Sequence, residues 1–383
     1  MDYMFTEEQE LFRNAVIKFV KKEIVPRAKE IGDLDEIPRD LWKKICDLGV
    51  MTILAPEEYD GQPGESTMLG IAAEEIAKGG DMSLASTIVP NIGFLLALGH
   101  ASAKVQGEWI PPITGGEKLG AFAITEPDCG TDAVAMRTAA KKDGDYYILN
   151  GEKTSVSWGM YAEAAVVFVK TDPNAGARGV SCFLLPLDLE GIIKSSFPDM
   201  GLRPVTRASF ILDNVRIPKE YLIGGEGEGF YTAMKGFDVM RVIVALISIG
   251  TAENVMEATI EYVKQRVAFG KPLGKFEGIS FRIAEAVTLL EAARGLSYRA
   301  LWLRDHGLNH TKETAMTKWW STTTAVKIIH DALLMHGHFG YSSEAPIEQR
   351  LRDAIGAQMA DGTPESMKLI LVRELLGKEF LPY

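Results

Sequence analysis

The 383-residue sequence has little cysteine: Cys46, Cys129 and Cys182 stand far apart, with no C-x-x-C pair. That excludes a disulfide framework and a thiolate zinc site, and it predicts a reducing compartment. Positive charge is also in deficit, since 41 Lys and Arg against 52 Asp and Glu leave a formal charge of −11. A surface of that sign disfavours nucleic acid and anionic membranes as partners. No run reaches the roughly 18 uninterrupted apolar residues of a membrane span, and the start, MDYMFTEEQELF, lacks a charged-then-apolar leader pattern. The expectation is a cytoplasmic protein with no nucleic acid partner and no membrane insertion. Nucleotide signatures are missing too. There is no Walker A sequence, and GGEGEG at 224–229 neither satisfies G-x-G-x-x-G nor sits in a βαβ context, so it reads as an interdomain hinge. His306 and His310 fall at a Gly-Leu-Asn break with no Glu between them, so no metal is expected. Asn309-His310-Thr311 matches a glycosylation sequon by chance.

What is present is a globular balance of 46% hydrophobic and 24% charged residues. The length exceeds what one core usually serves, so two or three domains are expected. Thr6 and Gln9 form a capping box, and Leu11, Phe12, Val16, Phe19, Val20 and Ile24 recur at helical spacing. Further helices are predicted over 41–48, 66–78 and 83–98, punctuated by PEEYDGQPGE and Pro111-Pro112. From Gly120 the texture becomes β-rich, with YYILNG, AAVVFVK, VSCFLLP and ASFILDNV between turn clusters. Helical periodicity returns over 232–267, 279–305 and 312–337, with a last helix after Thr363. The run VMRVIVALISIG is apolar all round except Arg241, which predicts a buried helix whose one charge has a partner. The fold class is α+β, divided into residues 1–119 (helical), 120–229 (β) and 230–383 (helical bundle).

Six segments carry candidate chemistry. AFAITEPDCGTD (121–132) is a β-to-loop junction of small and hydroxylated residues, which lets backbone N–H groups approach an anion. NGEKTSVSWG (150–159) is a turn leading into a hydroxyl-rich run. FDVMR (237–241) sets Asp238 and Arg241 one turn apart, which alone reads as an ion pair. RVAFGKPLGKF (266–276) offers Arg266, whose planar fork suits phosphate. LLMHGHFGYSSEAPIEQRLRDA (333–354) and ADGTPESMKLILVRELLG (360–377) follow. The start of the last reads alone as a turn and helix N-cap, with Thr363 capping and Glu365 in the first turn.

Taken together these segments resemble the acyl-CoA dehydrogenase family over nearly the whole chain. The resemblance implies the acyl-CoA dehydrogenase fold, with an N-terminal helical domain, a middle β-barrel-like domain and a C-terminal four-helix bundle. It implies FAD as cofactor, an acyl-CoA substrate, electron-transfer flavoprotein as electron acceptor, and a homotetramer. By the same resemblance Thr125 meets the isoalloxazine edge beside Phe122, Ile124 and Gly130, and Thr131 contacts phosphate or pantetheine. Ser155 stands where the family has an aromatic residue packed on the flavin, and Ser157 where it has a hydroxyl that reaches N5. Trp158 either covers the ring or is packed core. Arg266, Phe269 and Phe276 resemble the residues that serve a neighbouring subunit's FAD, with Glu277 in place of the usual Gln. Leu334 replaces a flavin-facing Gln and His338 a Gly. Thr363 and Glu365 follow the base on the FAD side.

The family's base, a Glu before Gly-Thr, corresponds here to Asp361, with Gly362 beside it. Asp238 and Arg241 take the family's places near the CoA arm and the carboxylate. The implied reaction is α,β-dehydrogenation, with Asp361 removing the α-proton and the β-hydride going to flavin N5. Replacing Glu by Asp draws the carboxylate back by about 1.5 Å, which a branched or ring-bearing α-carbon would fill. The pattern is similar to the branch that acts on cyclohexane-1-carbonyl-CoA and forms cyclohex-1-ene-1-carbonyl-CoA. Diene-forming relatives carry a basic Asp in the N-terminal domain, where VPNIGF offers Asn91 to the substrate instead. Other readings are a short-branched or medium-chain acyl-CoA dehydrogenase, an acyl-CoA oxidase, and a non-enzymatic CoA-binding scaffold.

Overall fold

The computed structural model describes residues 5–62 and 65–381. Its first region is helical: α1 (Glu7–Phe19), α2 (Ala28–Gly32), α3 (Arg39–Asp47), α4 (Ser66–Lys78), α5 (Met82–Ser86), α6 (Ile88–Leu98) and α7 (Ala103–Thr114). The capping box forms as read, with Gln9 N donating to Thr6 Oγ1 at 3.2 Å and Thr6 N donating to Gln9 Oε1 at 3.1 Å. The stretch expected as one helix over 83–98 is two. Asp81 starts the first by accepting from Leu84 N at 2.7 Å, and Thr87 separates it from α6 as a turn residue. Pro111 and Pro112, expected as punctuation, lie inside α7. The carbonyls they leave without partners belong to Gly107 and Glu108, both exposed and open to water.

The middle region is one sheet: β1 (Gly120–Ala123), β2 (Ala139–Asp143), β3 (Tyr146–Val156), β4 (Ala164–Lys170), β5 (Val180–Pro186), β6 (Ile192–Ser196), β7 (Ala208–Pro218) and β8 (Leu222–Ile223). The strand order is β6-β7-β3-β2-β4-β5-β8, with β1 lying parallel beside β4. The strands β4 and β5 are buried at every residue, which is why AAVVFVK and VSCFLLP read as continuous runs rather than alternations. The register between β3 and β7 shifts between Lys153 and Val156. That bulge turns Ser155 outward at φ 57°.

The last region holds α8 (Gly229–Gln265), a small hairpin of β9 (Val267–Ala268) and β10 (Lys271–Pro272), then α9 (Glu277–Asp305), α10 (Thr311–His336), α11 (His338–Tyr341), α12 (Ile347–Met359) and α13 (Pro364–Leu376). The long helix α8 is apolar and long enough to cross a membrane, but 89% of that apolar stretch is buried against the rest of the protein, so it is the core helix of the bundle. Arg294 of α9 joins three helices, donating to Glu74 of α4 at 2.6 Å and pairing with Glu253 of α8. The glycine-rich segment expected as a hinge is packed. A Cβ on Gly227 (φ 82°) would lie 2.3 Å from Arg178 O, and one on Gly229 would lie 2.5 Å from the Ser181 carbonyl carbon. These glycines let the start of α8 approach β5 closely.

Candidate active site

Between α12 and α13 the chain turns through Asp361 and Gly362, both in the left-handed region at φ 53° and 109°. Asp tolerates that conformation better than most side chains, and Gly adopts it freely. Two cations fasten the turn by its backbone. Arg241 of α8 donates from Nε to Asp361 O at 3.0 Å, and Lys318 of α10 donates from Nζ to Gly362 O at 3.0 Å. Arg241 also lies 3.6 Å from Asp238 Oδ1 and 5.2 Å over the Phe237 ring, so the buried charge has the partner that the sequence demanded. Thr363 caps α13 by accepting from Ser366 N at 3.3 Å. The plain N-cap reading of Thr363 therefore holds, and Glu365 points to solvent in the first turn.

The carboxylate itself is left free. Asp361 Oδ2 is buried with no hydrogen-bond partner among the described residues, and its backbone N–H has no acceptor among them either. Burial pushes the Asp361 carboxyl above its ordinary value, with Lys318 and Arg241 pulling the other way. A buried ionisable group raised by desolvation and aimed at nothing is the pattern of a group reserved for chemistry.

A second group of candidates lies on the sheet. Phe122 on β1 meets Phe168 in a tilted pair at 4.8 Å and Phe237 edge-on at 5.4 Å, so one aromatic chain links the sheet to the helix that carries Arg241. Ile124 is buried, Thr125 is half-buried, and Gly130 and Thr131 are exposed at the loop tip. A buried ion pair shapes this loop: Lys153 Nζ reaches Glu126 Oε1 at 2.7 Å and Ile124 O at 3.0 Å, while Glu126 accepts from Arg137 N at 2.6 Å and Thr138 N at 3.0 Å. Thr154 N donates to Thr125 O at 2.9 Å, so the loop lies directly against the end of β3. Ser155 is exposed and Ser157 half-buried, and neither hydroxyl has a partner among the described residues. Trp158 is fully buried, which decides between its two readings in favour of packed core.

The third group is remote. Arg266 follows the end of α8, and at about 1.5 Å of rise per residue it lies roughly 37 Å from Arg241. Nearby, Phe269 is 96% exposed and meets Phe276 edge-on at 6.3 Å. Leu334 and His338, at the end of α10 and the start of α11, are also exposed. Arg266 and the neighbouring Phe269 and Phe276 thus stand apart from the Asp361 turn.

Asn91 is fully buried, donates from Nδ2 at 2.9 Å to Thr87 O at the N-cap of its own helix and accepts from Gly120 N at 2.8 Å, so its Oδ1 ties α6 to β1. Sequence reasoning in turn missed Lys153, Glu126 and Lys318. Lys153 was legible: it falls in the inward phase of β3, two-residue steps on from Tyr147 and Leu149. Lys318 gave no such signal, because its partners are backbone carbonyls.

Three family models cover most of the chain: the acyl-CoA dehydrogenase N-terminal domain over residues 6–117, the middle domain over 121–215 and the C-terminal domain over 227–376. The mitochondrial short-chain specific acyl-CoA dehydrogenase of Rattus norvegicus is 36% identical over 376 residues, spanning 97% of this chain and 90% of that one. Butyryl-CoA dehydrogenase from Megasphaera elsdenii superposes with a TM-score of 0.93 at 32% identity, covering 98% of this chain and 100% of that one. A chain from a structural study of the electron transferring flavoprotein of Acidaminococcus fermentans superposes with a TM-score of 0.94 at 33% identity, again covering 98% and 100%.

Proposed function

The chain belongs to the acyl-CoA dehydrogenase family of FAD-dependent oxidoreductases, and from that premise we propose that Asp361 is its catalytic base and that its substrate is a CoA thioester with a ring at the α-carbon. The observation that carries the assignment is the buried, unpartnered Asp361 Oδ2 on a turn held by Arg241 and Lys318.

The residues present fit FAD. Thr125, Thr131, Ser155 and Ser157 offer hydroxyls without partners among the described residues beside an apolar strand, a donor set suited to the polar edge of a flat ring. When bound, FAD supplies the hydride acceptor for the β-carbon. The protein's own part is the proton. The Asp361 carboxylate would take the α-proton, and Thr125, Thr131, Ser155 and Ser157 would hold the cofactor that accepts the hydride. Negative charge then gathers on the thioester oxygen, and the Asp361 N–H, which has no acceptor among the described residues, is the donor assigned to receive it. Arg241 and Lys318 fix the turn, so neither carboxylate nor N–H has to be ordered at the moment of reaction.

The preference for a ring rests on the missing methylene of Asp361. The expected substrate is cyclohexane-1-carbonyl-CoA and the product its 1-ene. A second reading, a short-chain acyl substrate, is favoured by the similarity to the rat short-chain enzyme and to butyryl-CoA dehydrogenase. The acceptor in this account is an electron-transfer flavoprotein, in keeping with the Acidaminococcus fermentans chain. The remoteness of Arg266, Phe269 and Phe276 from the Asp361 turn supports their serving the FAD of a neighbouring copy in a homotetramer. The test is anaerobic titration of the FAD-loaded protein with cyclohexane-1-carbonyl-CoA, butyryl-CoA and octanoyl-CoA while following loss of the oxidised flavin band. Bleaching fastest with the ring thioester supports the ring; bleaching as fast with butyryl-CoA moves the substrate to the short chain; oxygen uptake without added flavoprotein makes the enzyme an oxidase.

A further inference from the structure

Lys318 is fully buried in the N-terminal third of α10, and no carboxylate lies within ion-pair distance among the described residues. Its Nζ donates to Ala357 O at 2.9 Å, Gln358 O at 3.3 Å and Gly362 O at 3.0 Å. The first two carbonyls belong to the last turn of α12 and the third follows Asp361, so one ammonium spans the residue from both sides. Three donations use all three of its protons, and a neutral amine has only two. This geometry therefore requires the charged form. A cation buried without a counter-ion is costly, and the C-terminal end of α12 offsets part of that cost.

We infer that Lys318 is a positioning residue for the proposed dehydrogenation: its ammonium locks the Asp361 turn by holding the carbonyls of Ala357, Gln358 and Gly362. The inference rests on the reading of Asp361 as base. The charged groups facing Lys318 are Asp361 and, on α8, Arg241, with Asp238 beyond Arg241. Burial brings the Lys318 ammonium down to about 8, opposed by Asp361 and assisted by Arg241. Lys318 is in turn the larger of the two influences that hold the Asp361 carboxyl down against its own burial. The lock should accordingly loosen as the pH rises through about 8.

The test uses the FAD-loaded protein and the single-turnover bleaching rate. Lys318→Met should bleach about a hundredfold more slowly, with ligand affinity changed far less than the rate. The acid limb of its pH profile should move up, because a nearby positive charge is gone. A Lys318→Met protein that holds FAD and ligand but keeps the wild-type bleaching rate overturns the inference. Should that variant fail to load FAD, Lys318→Arg carries the test: its charge persists past pH ~12, so the fall in rate above pH 8 should vanish, and its persistence overturns the inference. Asp361→Ala is measured beside both. Undiminished bleaching in Asp361→Ala removes the base reading itself, a failure separate from that of Lys318.

Discussion

Extending Asp361 by one methylene exposes the logic of the site. In Asp361→Glu the backbone cannot retreat, since Arg241 Nε holds the carbonyl of residue 361 at 3.0 Å and Lys318 Nζ holds that of Gly362 at 3.0 Å. The added bond therefore carries the carboxylate outward by about 1.5 Å. A displacement of that size costs on the order of a hundredfold for a substrate the original side chain fits, or about 2.7 kcal/mol of barrier. The same displacement should favour a slimmer α-carbon. The assay is anaerobic stopped-flow bleaching of the FAD-loaded proteins by cyclohexane-1-carbonyl-CoA and butyryl-CoA. The butyryl-to-ring rate ratio should rise by about a hundredfold or more in the Glu variant. A ratio that stays at its wild-type value would refute the argument that side-chain length selects the acyl group.

Other perturbations separate structure from chemistry. Lys153→Met leaves Glu126 charged and buried beneath the 124–131 loop, and should cost about 3–5 kcal/mol of stability in urea unfolding together with loss of FAD; a change under about 1 kcal/mol would show that the pair is dispensable. Asn91→Ala strands the Gly120 N–H; unfolding should come about 1–3 kcal/mol more easily, with the order of substrate preference unchanged, whereas an altered preference would bring Asn91 into the acyl pocket. The Asp361 carboxyl is raised above 3.8 by burial, and the base must be ionised. Bleaching should therefore be complete well above that raised value and fall on acidification, with its midpoint above pH 3.8; a midpoint at or below 3.8 contradicts a buried base.

Much of the fold was written in local pattern. The capping box at Thr6, the continuous apolar runs of β4 and β5 and the single charge of Arg241 in α8 are each dictated by neighbours in sequence or by one face of an element. Where the reading slipped, tertiary context decided. Pro111 and Pro112 remain helical because the carbonyls they orphan face water. The glycines at 227 and 229 read as flexibility but serve contact with β5, which lies more than forty residues earlier in the chain. In the site, Asp361 stood out only through the six segments taken together, since its Asp-Gly-Thr turn alone reads as a helix N-cap. Asn91 and Lys318 did not. Both act through backbone carbonyls or amides of distant segments, Gly120 for one and Ala357, Gln358 and Gly362 for the other, and such partners leave no mark on residue identity.

The account stands on Asp361 as the base, and removal of its carboxylate tests that most directly. Asp361→Ala deletes the buried Oδ2 while the backbone anchors from Arg241 and Lys318 remain available to the turn. The variant should keep its FAD and still bind the CoA thioester, seen as a perturbed flavin spectrum. Its flavin should stay oxidised after addition of substrate without oxygen. An Asp361→Ala protein that bleaches at the wild-type rate would contradict the assignment and place the base on another residue.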